Sequence, residues 1–172
     1  MRSMRIYVMF LALVSIGLTS CNDGSTKELA QQQEELKKQN DSIIGMHETL
    51  TAKNNELKTQ HNQVSQQLRG LEKLEDSTQL EKLTSIEAKI RNHGAKLASH
   101  REMIESHNEL GQNFGELSTD AKKKQLSEMQ KTHDRIMSEQ KEMKSEHDNI
   151  EKQHQSIKDM IAKSTSGDES KG

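Results

Sequence analysis

LTSIEAKIRNHGAKLASHREMIESHNELGQNF, residues 83–114, carries two interleaved heptad series. Leu83, Ile90, Leu97 and Ile104 recur every seven positions, and Ile86, His93, His100, His107 and Phe114 follow three residues behind each rung or its successor. At 3.6 residues per turn both series fall on one seam of a helix. That seam alternates a greasy rung with an imidazole rung.

The flanking segments carry the same two series in exchanged order. Upstream, Leu29, Leu36, Ile43, Leu50, Leu57, Val64 and Leu71 form the aliphatic series. Gln33, Asn40, His47, Asn54, His61 and Leu68 follow four residues behind. Downstream, Met129, Ile136, Met143, Ile150 and Ile157 are followed at the same spacing by His133, Gln140, His147, His154 and Ile161. In an antiparallel pair of helices, one seam position of the first lies level with the other seam position of the second. The exchange therefore sets aliphatic against aliphatic and polar against polar in an up-down-up arrangement. The fold class predicted is all-α, an antiparallel three-helix coiled-coil bundle.

Composition agrees. The 172 residues are 30% charged and 30% hydrophobic, with no Pro and no Trp. Ordinary globular chains are about 45–50% apolar, so only narrow stripes can be buried. Cap-type residues place the turns. Ser25-Thr26-Lys27-Glu28 and Thr78 to Glu81 have capping-box spacing, and Ser118-Thr119-Asp120 offers a third start. The predicted helices cover about 26–75, 79–115 and 120–163, each about 40 residues or roughly 60 Å. Residues 164–172 read as a disordered tail. Reversal at Ser77 would pair Leu71 with Leu83, Val64 with Ile90, Leu57 with Leu97 and Leu50 with Ile104. Reversal at Asp120 would pair Ile104 with Ile136, Leu97 with Met143 and Ile90 with Ile150, and a one-heptad slip at this second turn would match as well. A single uninterrupted helix would have to absorb a one-residue phase shift twice, each time where caps cluster.

The first twenty residues read as a signal peptide. Arg2 and Arg5 precede an apolar run from Ile6 to Leu18, about 13 residues where roughly 20 are needed to span a bilayer. The run ends Leu18-Thr19-Ser20-Cys21, with Cys21 the sole cysteine, so no intrachain disulfide forms. This sequence resembles the lipobox of bacterial lipoproteins. The resemblance implies cleavage before Cys21, a diacylglycerol on its sulfur and localisation in the bacterial cell envelope. Residues 21–25 would then be the lipidated cysteine and a polar tether. Asn22 stands where an Asp resembles an inner-membrane retention signal in some lineages, so the outer membrane is favoured over the inner.

Charge and composition exclude other classes. The formal net charge is −2, and removal of Arg2 and Arg5 leaves the chain more acidic, so electrostatics gives no reason to bind nucleic acid. Base-stacking aromatics are missing from the mature segment apart from Phe114. No nucleophile elbow, phosphate loop, HExxH or CxxC occurs, and the chain reads as a non-enzyme. The expected function is a lipid-anchored spacer or interaction module. It would touch the membrane through its lipid and an envelope protein or polysaccharide through its outer face. Self-association of the rods is compatible with the pattern.

All eight histidines lie on the seams. The reversals above group His61, His93 and His147 in one layer and His47, His107 and His133 in another. Three imidazoles would supply the nitrogen half of a zinc site or respond to acid near their usual pKa of about 6.5. The simpler expectation is that His, Asn and Gln hydrogen-bond across the core and fix register. Lipid on Cys21 is then the only group added to the chain.

Overall fold

The computed structural model describes residues 22–71 and 77–166. Three α-helices and one 3-10 turn make up these residues: α1 Asn22–Arg69, α2 Ser77–Gln112, the turn Phe114–Glu116, and α3 Thr119–Ser166. The signal peptide, Cys21 and residues 167–172 of the expected tail lie outside the described residues. Helix bounds differ from expectation at both ends of the chain. Asn22–Ser25 is helical, the first turn of α1, and α3 continues through Ser166 instead of stopping at Lys163. α2 ends at Gln112, three residues early, and the chain closes that end as a 3-10 turn.

The architecture is an up-down-up three-helix bundle, with α1 and α3 parallel and α2 running against both. At about 1.5 Å per residue, the 48-residue α1 and α3 are each about 72 Å long, and the 36-residue α2 is about 54 Å. The seam residues form the core. Leu57, Val64 and Ile136 are fully buried, and the only large apolar side chain exposed among the described residues is Leu110. Burial of whole Leu and Ile side chains contributes about 1.5–3 kcal/mol each, which is how so polar a chain holds together.

Local chemistry sets the ends. The Ser118 side chain accepts the backbone N–H of Ala121 at 3.3 Å and its carbonyl accepts that of Lys122 at 2.9 Å, so Ser118 caps α3. Asp120 sits in the first turn, where the helix dipole favours a carboxylate. Phe114 is carried inward by the 3-10 turn and packs with Leu29, Leu36, Leu126 and Met129, closing the end at which α1 and α3 begin. Lys122 Nζ lies 5.6 Å from the Phe114 ring centre and donates to the Gly115 carbonyl at 3.0 Å, fastening this turn to α3.

The aliphatic layers reveal the register. Ile43, Ile104 and Ile136 form one layer, and Leu50, Leu97 and Met143 the next. Leu57, Ile90 and Ile150 belong to the cluster beyond, with Val64, Leu83 and Ile157. The α2–α3 pairings are those expected. The α1–α2 pairings are not: Leu50 meets Leu97 instead of Ile104, a displacement of one heptad. The reason is physical. A seven-residue repeat satisfies aliphatic contact equally well after a seven-residue slip. Ser77, the expected point of reversal, is already the first residue of α2.

Candidate functional site

The heptad displacement decides what the polar layers contain. Four layers alternate with the aliphatic ones, and each holds two imidazoles instead of three. His61 meets His154, with ring centres 5.5 Å apart and His154 Nε2 at 3.4 Å from His61 Nδ1, so that one ring donates to the other. Ile86 of α2 lies level with them by register. His93 meets His147 edge-on at 4.9 Å. Asn54 completes this layer, its amide nitrogen 3.6 Å from where a Cβ on Gly94 would stand. His47 lies within electrostatic reach of His100, and Gln140 donates to the Ile43 carbonyl at 3.0 Å in the same region. His107 meets His133 at 4.9 Å, and Asn40 donates to Asn108 at 3.0 Å beside them.

The expected trios are therefore not formed. His93 and His147 come together, but His61 joins His154 instead. His107 and His133 come together, but His47 joins His100. Among the described residues, no group of three or more His, Cys, Asp or Glu side chains is disposed to hold a metal ion. The zinc reading thus loses the three-imidazole layers on which it rested.

Two layers have a feature the sequence reading missed. Glu146 accepts a hydrogen bond from His93 Nε2, and Glu139 accepts one from His100 Nε2 at 2.7 Å. The two rings are buried, and the carboxylates are about one-third exposed. Each glutamate directly precedes a seam residue of α3, Gln140 or His147. Carboxylates beside a helical seam ordinarily face solvent. The available signal was the position itself: before the four α3 seam residues stand Thr132, Glu139, Glu146 and Gln153. The two inner positions are acidic and the two outer ones neutral.

Electrostatics follows from burial. His133, His147 and His154 are pushed down to about 4, chiefly because burial disfavours the charged ring. The neighbouring imidazole, respectively His107, His93 or His61, adds a smaller push in the same direction. Burial also lowers His47, His61 and His107. Glu146 is held below the usual carboxylate range by the His93 hydrogen bond. Lys53 is raised by its bond to Glu151, which ties α1 to α3 beside the inner layers.

Several ring nitrogens have no protein partner among the described residues: Nδ1 of His47, His93, His100, His107 and His154, Nε2 of His133, and both nitrogens of His147. A buried polar atom without a partner costs about 1–3 kcal/mol. Hollows among the described residues include open grooves, one beside Gln79, Lys152, Asp159 and Lys163 and another beside Gln63, Gln67, Lys158 and Ile161. No described helix is long and apolar enough to cross a membrane. No protein-family model matches the chain, and comparisons with curated proteins and with solved structures find no similar one.

Proposed function

We propose that the chain is a lipid-anchored protein of the bacterial cell envelope, favouring the outer membrane, whose rod serves as a spacer or interaction module. The observation that carries this reading is Leu18-Thr19-Ser20-Cys21 at the end of a basic-then-apolar leader. Acyl chains contribute about 0.8 kcal/mol per buried methylene, so two or three of them hold a protein durably at a surface. The fold supports the spacer role. α1 starts at Asn22, next to the cysteine, and the bundle extends about 72 Å from there. Charged and amide side chains cover its outside, which suits docking to a protein or polysaccharide of the envelope.

Metabolic labelling with a fatty-acid analogue tests the anchor. The chain should incorporate label and partition with membranes, and Cys21→Ser should abolish both. Labelling that survives Cys21→Ser, or a wild-type chain that takes up none, would overturn the proposal.

A further inference from the structure

We infer that acid opens this bundle from its two outer polar layers inward, while the two inner layers act as a clamp that holds on. The argument rests on where carboxylates stand. Each inner layer has one imidazole already donating to a glutamate of α3: His93 to Glu146 and His100 to Glu139. A positive charge on either ring would lie in a hydrogen-bonded ion pair, while the second ring of each inner layer, His147 or His47, has no carboxylate bonded to it among the described residues. The outer pairs have no such partner. His61 and His154 bond to one another, and His133 Nδ1 donates only to the neutral Gln39 carbonyl at 3.4 Å. A proton entering an outer pair therefore creates a buried charge with no hydrogen-bonded carboxylate, and a second creates two cations about 5 Å apart.

The surroundings on every helix support the division. Around His61 and His154, Glu87 of α2 and Glu151 of α3 attract a proton while Arg69 of α1 and Lys158 of α3 repel it. Glu151 is already engaged with Lys53 of α1. Around His107 and His133, the groups flanking the pair are Asp134 of α3 with Lys37 and Asp41 of α1, and Lys124 and Glu128 of α3 along the other groove. None of these bonds either ring. Around the inner rings, Lys53 and Arg101 oppose a charge, while Glu48, Glu146 and Asp148 favour it, with Glu139 bonded to His100 and with Lys89 and Lys96 beside Glu146.

Acid would thus loosen the groove walls around Phe114 at one end and around Ile86 at the other before the middle yields. This device is independent of the lipid on Cys21 and stands or falls separately from the anchor.

The test is hydrogen exchange of the purified full-length chain in detergent, at about pH 7.5 and about pH 5, compared as protection factors to remove the intrinsic pH dependence. Amides near residues 61, 107, 133 and 154 should lose about tenfold more protection than those near 93, 100 and 140, whose layers hold the glutamate-bonded rings. Two paired variants sharpen it. Thr132→Glu with Gln153→Glu places carboxylates where the outer layers lack them and should bring the outer loss down to the inner level. Glu139→Gln with Glu146→Gln removes the inner carboxylates and should bring the inner loss up to the outer one. Uniform loss, loss beginning in the middle, unchanged protection at pH 5, or variants that leave the pattern unmoved would each overturn the inference.

Discussion

Two kinds of layer alternate down one core, and they hold the helices for different reasons. In the layer of Ile43, Ile104 and Ile136, everything buried is apolar, and the contact improves with closeness alone. In the layer of Asn40, His107 and His133, buried ring nitrogens and the Asn40 carbonyl go without protein partners. The first kind supplies stability. The second restricts which helix positions meet and makes the assembly depend on proton concentration. The difference teaches that the aliphatic layers can be changed without altering the response to acid, whereas a change in a polar layer moves both.

Acid is the largest lever on that contrast. His133, His147 and His154 have native pKa values of about 4 against about 6.5 unfolded, so the unfolded chain binds more protons between those limits. Stability is complete above about pH 6.5 and falls as pH drops towards 4. By pH 5 each of the three would cost on the order of 2 kcal/mol, and together several. Chemical denaturation across this range should show the loss. A midpoint flat from pH 7 to pH 5 would mean that the imidazoles are not buried as neutral rings.

Next in size is a greasy rung. Ile136→Ala removes a fully buried side chain from a three-residue layer and should cost about 3–4 kcal/mol, with no change in pH dependence. Smaller, and of opposite sign, is replacement of a whole polar pair. His107→Leu with His133→Leu removes two incompletely bonded rings and should stabilise the chain by about 2 kcal/mol at neutral pH. It should also reduce the acid loss, since one of the three strongly lowered histidines is gone. A destabilised double variant would mean that those rings are well satisfied by groups other than the residues around them.

Much of this was legible in the residues. The exchanged order of aliphatic and polar series between residues 29–71, 83–114 and 129–161 predicts antiparallel neighbours, and the three helices pack that way. The start of α3 was legible as well, because Ser118 is a true cap, but a one-heptad slip against α2 satisfied the repeat equally and the structure selects between the two. The first reversal was not legible. Nothing in a strict seven-residue repeat distinguishes Leu50 against Leu97 from Leu50 against Ile104, and the difference is carried by the length of the turn. That one slip turns predicted trios of histidines into pairs. The glutamates of the inner layers were hidden for another reason. Composition treats a carboxylate beside a seam as solvent-facing, whereas Glu139 and Glu146 lean inward to reach a donor on α2.

The pairing of imidazoles two by two depends on how α1 meets α2, and thiol crosslinking measures that directly. In a Cys21→Ser background, Leu50→Cys with Leu97→Cys places two thiols in one layer, whereas Leu50→Cys with Ile104→Cys separates them by one heptad, about 10 Å along the rod. A short bifunctional thiol reagent should join the first pair rapidly in the folded monomer and leave the second unjoined. Rapid closure of the Leu50–Ile104 pair, with the Leu50–Leu97 pair left open, would contradict the register and with it the four histidine pairs.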